Sequence, residues 1–301
     1  MTGATGRLGT IGEMWGLLAE SPMHYGAGQS LGVVDLPVAR EETTGYPVVF
    51  GSGVKGSLRE MAAGNEATEP AESEGGQERA KDRVKQLFGE ASSAGWVMVS
   101  DARLLLLPIR GLERHYWWVT CPALLERWSR DRALLGLPAA SHPLPIVPTG
   151  HLLNAELTGP VFVEELNFVG ELWPDLEGWA ADLARLVGHE ASAARLVHQL
   201  AVVADDDMRY LVRHALPVTA HNNLNESKTS VNLWYEETVP ADALWYAMLM
   251  LPTDGRSSER IEAFRWLTRL VDNRPYVRFG AHETLGHGWC RVQRWEVPDG
   301  H

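Results

Sequence analysis

Cysteine is nearly absent from this chain. Only Cys121 and Cys290 occur, far apart and without a C-x-x-C pair. That excludes a zinc ribbon and a disulfide framework, and it fits a reducing cytoplasm. Long apolar runs are missing too: none reaches the roughly 18 residues of a membrane span, so no membrane partner is expected. The opening stretch MTGATGRLGTIGEM has no apolar centre and is no secretory signal, so residues 1–12 read as a flexible lead-in. Positive charge is the third shortage. Lys and Arg number 27 against 39 Asp and Glu, for a net charge of −12 and a pI of about 5.4. Coating nucleic acid non-specifically takes clustered cations, and that class is excluded. A narrow basic groove on an acidic body is not, because Glu66, Glu69, Glu72, Glu74 and Glu78 gather much of the acidity in one segment.

Glycine, by contrast, is abundant and clustered. Between Pro22 and Glu60 two glycine-rich turns bracket an Asp, an Arg and an X-Pro break, and the second turn, GSGVKG at 51–56, opens into a helix. Glycine lets backbone amides approach a ligand, and a helix start adds unpaired N–H donors and a positive dipole end. With Lys55 inside it, this segment reads as a seat for phosphate. It matches G-x-G-x-x-G, but a dinucleotide site needs an acidic residue about 20 positions on, at the end of a second strand. Here those positions fall in the acidic, apolar-poor segment 64–77, read as a mobile insertion. No Gly-Lys-Ser/Thr follows, so it is no Walker A loop. The plain alternative is a glycine turn that lets a helix pack on a strand.

Strand-like segments are expected at Glu13–Glu20, Val48–Phe50, Trp96–Pro108 (broken at Ser100–Asp101), His115–Cys121, Val161–Glu171, Ala243–Leu251, Tyr276–Phe279 and Trp289–Val297. Helical spacing marks Val54–Ala63, Glu78–Phe88, Pro122–Leu135, Asp175–Leu200 and Arg256–Asp272. Asp205, Asp206 and Asp207 are expected to cap a helix to Leu216. Val218–Ala220 and Leu233–Glu237 read as strands around a polar loop, His221–Ser230. Strands and helices mix without strict alternation, which points to an α+β fold.

Asp35 lies in VVDLP, downstream of His24. Either it is an exposed loop carboxylate, or with His24 it positions a ribose hydroxyl or holds a divalent ion. In Trp234–Tyr235–Glu236–Glu237 strand alternation separates the two carboxylates, which face solvent or belong to a site. The third glycine-rich turn, GAHETLGHG at 280–288, offers Gly286 and His287 to a sugar–phosphate chain or is a simple β-turn. Trp117, Trp118, Trp173, Trp179 and Trp266 sit where core packing is expected.

HYGAGQSLGVVDLPVARE, TTGYPVVFGSGVKGSLRE, LFG at 87–89, VSDARLLLLPIR, WWVTCP, LWYEE and TLGHGW occur in this order. The set resembles the RAMP-superfamily backbone subunits of the type III-B (Cmr) CRISPR RNA-guided complexes, over about Met14 to Val297. The resemblance implies a ferredoxin-like palm with a β-hairpin thumb and helical insertions, one RAMP domain over 13–298. Its implied partners are crRNA, target RNA, copies of itself in a filament and other Cmr subunits. It also implies target-RNA cleavage at regular six-nucleotide intervals, dependent on a divalent metal, Mg2+ or Mn2+, held by Asp35. Asp35 is the implied essential acid, accompanied by His24 and Glu236. Gly51, Ser52, Gly53, Lys55, Gly56, Arg59, Arg40, Gly286 and His287 are the implied RNA contacts. Thr238 stands where some relatives carry an aromatic residue.

Overall fold

The computed structural model describes residues 10–30, 32–64, 76–252 and 257–295. Most of the lead-in and of the acidic insertion, residues 1–9 and 65–75, therefore lies outside the described residues. Strand β1 (Thr10–Ala19) already begins inside the segment read as lead-in. After a long loop come β2 (Val48–Val49), α1 (Gly51–Gly64), α2 (Gly76–Phe88), the short pair β3 (Gly89–Glu90) and β4 (Ser93–Ala94), then β5 (Met98–Val99) and β6 (Ala102–Arg110). Strand β7 (Tyr116–Thr120) leads into α3 (Pro122–Leu135). This helix starts and stops where its sequence dictates: Pro122 needs no N–H in the first turn, and Gly136 closes the other end at φ 75°.

An inserted region follows: β8 (His151–Asn154), β9 (Gly159–Val163), β10 (Leu166–Leu172), α4 (Leu176–Ala184), α5 (Glu190–Gln199), β11 (Leu200–Val203) and α6 (Asp205–His214). The chain ends with β12 (Val218–Leu224), β13 (Ser230–Glu237), β14 (Leu244–Pro252), α7 (Ser257–Asn273), β15 (Tyr276–Arg278), a 3-10 turn (Glu283–Leu285) and β16 (Trp289–Trp295).

One large sheet runs in the order β15-β16-β1-β14-β6-β7-β11-β8-β10-β9. Its part β16-β1-β14-β6 is antiparallel throughout, with helices α1 and α2 between β1 and β6 and α7 between β14 and β16. That is the β-α-β-β-α-β ferredoxin-like plan the resemblance implies. Strands β7 to β11 extend the sheet beyond it.

Alternation along β1 divides its side chains between two cores. Trp15, Leu17 and Ala19 join the apolar residues of α1, α2 and α7, whereas Met14 and Leu18 join those of α3, α4 and α5. Gly16 is there because a Cβ would lie 2.2 Å from the Leu186 carbonyl oxygen. Trp117, Trp118, Trp179 and Trp266 are buried, as their positions suggest.

Two local expectations need correction, and a third holds in part. The segment His221–Ser230 is mostly not loop: β12 and β13 form a separate two-stranded hairpin whose turn is residues 225–229. Its distal residues are exposed on both faces and only its base is buried, so no apolar alternation marks it. Leu200–Val203 is a buried strand, not the end of a helix. Asp205 and Asp207 lie, with Asp206, in the first turn of α6, so carboxylates stand at its N-terminus as expected, but the N-cap position is Ala204 and has no side-chain bond. Asp205 and Asp207 accept from the Ala123 amide at 2.9 Å and the Gly150 amide at 2.8 Å.

Candidate active site and nucleic-acid interface

Three segments meet beside the end of β1. The chain leaving β1 pairs Met23 with Val239, which sets His24 next to the base of the hairpin. Farther along the same loop, Leu36 bridges Glu236, and its amide donates to the Tyr235 carbonyl at 3.1 Å. The third segment is the turn after β15. Gly280, at φ 87°, brings it so close that a Cβ would sit 2.4 Å from the His24 carbonyl oxygen. The Ala281 amide donates to that carbonyl at 3.0 Å.

Asp35 is partly buried on the loop, and its Oδ2 accepts the Tyr235 amide at 2.8 Å. Glu236 and Glu237, one residue apart, have opposite employment. Glu237 clamps the loop: Oε2 accepts from the Val38 amide at 3.0 Å and Oε1 from Arg40 at 2.7 Å. Arg40 also donates to the carbonyls of Gly45 at 3.0 Å and Val212 at 2.8 Å. Its guanidinium is thus engaged by three acceptors of the protein, with 23 % of the side chain exposed.

Glu236 is 0 % exposed, and among the described residues neither carboxylate oxygen has a hydrogen-bond partner. Imidazoles surround it. His282 Nε2 is 2.8 Å from Oε2, not aligned for an N–H···O bond, while His24 Nδ1 is 3.7 Å and His221 Nε2 3.8 Å away. His24 Nδ1 donates to the Glu237 carbonyl at 2.8 Å, which holds the ring in place. His221 stacks between neighbours, 5.5 Å from Trp234 and 6.2 Å from His282. His282 and His221 reach solvent with 27 % and 23 % of their side chains, whereas His24 shows 5 %. One ring nitrogen each from His24 and His282 and an oxygen of Glu236 lie within 4.8 Å of one another. Asp35 is outside that group.

Sequence reasoning placed His24 and Glu236 together and missed His282 and His221, which only the tertiary fold brings in. The available signal for His282 was its place in the third glycine-rich turn. Of the two residues expected from that turn, Gly286 is exposed at its end, and His287 is half-buried with its ring 6.0 Å from that of His282.

The second glycine turn is the first turn of α1 itself. Phe50 accepts from the Gly53 and Val54 amides at 2.8 and 3.1 Å, and the Gly51 amide donates to Asp101 Oδ1 at 2.6 Å. A carboxylate of the chain therefore already sits at this helix start. A Cβ at Gly51 would meet the Val99 carbonyl oxygen at 2.8 Å, so this glycine serves packing. Among the described residues, a Cβ at Gly56 would meet nothing within 4 Å and one at Gly53 only a methyl at 3.7 Å. With Ser52, Gly53, Gly56 and Arg59 exposed and Lys55 half-buried, this face is open. Ser52, Lys55 and Arg59 border a groove of about 920 Å3 against residues 88–95.

A family model described as the RAMP superfamily matches residues 17–291. The chain belongs to the RAMP superfamily. Among curated RAMP relatives, the CRISPR system Cmr endoribonuclease Cmr4 of Pyrococcus furiosus is 29% identical over 296 residues, covering 94% of this chain and 95% of that protein. The crystal structure of oligomeric Cmr4 from Pyrococcus furiosus superposes with a TM-score of 0.74 at 25% identity, over 95% of this chain and 98% of the other. The same RAMP fold recurs in the cryo-EM structure of the type III-B Cmr-beta bound to cognate target RNA, with a TM-score of 0.71 at 19% identity over 94% of this chain and 96% of that one.

Proposed function

We propose that this chain is a backbone subunit of a type III-B CRISPR effector complex and an endoribonuclease that cuts the target RNA paired to the guide. The full-length similarity to an endoribonuclease of a Cmr system supports it, over a fold shared with an oligomeric relative. The observation that carries the reading is Asp35, tied to the hairpin base through Tyr235, one residue from the buried Glu236 and its histidines.

In this reading copies assemble along crRNA in the cytoplasm, each with its α1 groove against backbone phosphates. Guide pairing reads the sequence, so few cations per copy suffice. The solvent-exposed hairpin enters the guide–target duplex and splays a nucleotide. That matters because a regular A-form helix keeps the 2′-hydroxyl out of line with its own phosphate. Asp35 Oδ2 is held by the Tyr235 amide, which leaves Oδ1 to orient the splayed ribose hydroxyl. His24 and His282, packed against Glu236, position; His221, with 23 % of its side chain exposed, is the imidazole placed to exchange a proton with RNA. A divalent ion, when bound, would supply positive charge against the phosphate oxygens.

The test is target cleavage by the complex assembled with a defined crRNA. Asp35→Asn is expected to abolish cutting while guide and target binding persist. Uncut RNA with the unaltered subunit would leave a purely structural role.

A further inference from the structure

We infer that His24, Glu236 and His282 form a binding site for one divalent transition-metal ion of the imidazole-preferring kind, with Zn2+ as its probe, rather than a Mg2+ site on Asp35. A buried anion without hydrogen bonds is strongly disfavoured unless a positive group compensates it. The Arg40 guanidinium is bound to the adjacent Glu237. Among the described residues, the ion-pair partners of Glu236 are all imidazoles: His24, His221 and His282 at 2.8 to 3.8 Å. A cation among these groups would fill the coordination that both oxygens lack.

His282 sits at φ 63°, a left-handed conformation uncommon for a non-glycine residue, though histidine is among those that adopt it more readily. It lies in the Gly280 turn, strapped to the His24 carbonyl. His24 Nδ1, the nitrogen 3.7 Å from Glu236, donates its hydrogen to the Glu237 carbonyl, which fixes the ring and leaves Nε2 as the nitrogen able to ligate. The His221–Trp234 stack covers one flank. The site is closed toward the protein by Glu236 and His24 and open at His282, as a metal that must meet a substrate requires.

Two imidazoles and one carboxylate suit Zn2+ and its neighbours, whereas Mg2+ prefers an all-oxygen, largely hydrated shell. The Asp35 carboxylate lies outside the cluster and is bonded to a backbone amide. Binding of the ion follows from this geometry alone; its part in cleavage rests on the function proposed above.

Calorimetric titration of the chelator-stripped full chain with Zn2+, and separately with Mg2+, tests the site. The expected result is one Zn2+ per chain, with Mg2+ at least about a hundredfold weaker. Glu236→Gln and His282→Asn should each weaken Zn2+ by about tenfold or more, and Asp35→Asn should leave it unchanged. Asparagine tolerates the left-handed backbone at 282, so circular dichroism of that variant should show an intact fold. No stoichiometric Zn2+, or Zn2+ binding lost in Asp35→Asn but kept in His282→Asn, would overturn the site. Target cleavage is scored in parallel: Zn2+ bound as described with no cutting by the assembled complex refutes the functional reading and leaves the site standing.

Discussion

The Tyr235 amide donates to Asp35 Oδ2 at 2.8 Å, a hydrogen bond across 200 positions of sequence that joins the loop after β1 to the hairpin base. Through it, the position of the carboxylate depends on the strand that carries Glu236. Asparagine keeps an acceptor for that amide and removes the charge; alanine removes both. Asp35→Asn should therefore lose target cleavage by at least about a hundredfold with an unchanged melting temperature. Asp35→Ala should lose cleavage and also about 1 kcal/mol of stability, from the unpaired amide. Single-turnover cleavage and thermal melts of both variants decide this. Equal melts with residual cutting in the asparagine form would make the carboxylate a structural tie.

Arg40 and Glu237 are predicted to behave as one unit. Their 2.7 Å ion pair has side chains 23 % and 8 % exposed, so removing either partner strands a largely buried charge. Each single alanine variant should cost about 3 kcal/mol in urea unfolding, and the double variant much less than the sum. Arg40→Ala should leave the salt dependence of RNA binding unaltered, because its donors face Glu237, Gly45 and Val212. A shallower salt slope would make Arg40 a phosphate contact.

Much of this architecture was legible where sequence signals are local. Helix α3 has the bounds its Pro122 and Gly136 announce, and β1, β7, β14 and α7 stand out by apolar crowding or helical spacing. The hairpin was hidden for a physical reason. Its distal half buries neither face, so its residues have no apolar alternation, and the polar run from His221 looks like loop. Leu200–Val203 was hidden differently: a four-residue apolar run directly after α5 continues a helical stretch as readily as it makes a strand. In the site, Asp35, His24 and Glu236 stood out because motif order carried them. His282 did not, since only the packing of Gly280 on the His24 backbone brings it to Glu236. GSGVKG was half legible: Gly51 packs against Val99 and takes Asp101 at its amide, while Gly53 and Gly56 keep open space.

That open space yields a prediction in which stability and binding move in opposite directions. Gly56 is exposed in a helix, with no atom of the described residues near its missing Cβ. Gly56→Ala should stabilise the fold by about 0.5–1 kcal/mol, through helix propensity and a less free unfolded chain. It should weaken crRNA binding if the RNA backbone runs against this face. Lys55→Ala and Arg59→Ala should each lower the slope of log affinity against log salt by about 1. Filter binding over a salt series reads all three. A stabilised Gly56→Ala with undiminished binding would move the RNA elsewhere.

The two thiols give a prediction independent of RNA. Cys121 and Cys290 are both free and buried. Burial, the largest cause, pushes the Cys121 thiol up to about 12 and the Cys290 thiol well above its ordinary value. Hydrogen bonding with Tyr46 opposes the shift at Cys121, and that with Tyr25 opposes it at Cys290, in both cases by less than burial raises it. The thiolate is the reactive form, so at pH 8 both are protonated as well as covered. Because the folded-state values lie above the unfolded ones, the protonated thiols favour the fold below the unfolded pKa, and this contribution is lost as pH rises through the folded values. A disulfide reagent should therefore label neither cysteine in the native chain at pH 8 and both in denaturant. Labelling of one thiol at the rate of a free cysteine, with the far-ultraviolet spectrum unchanged, would mean that its wall of the core opens locally.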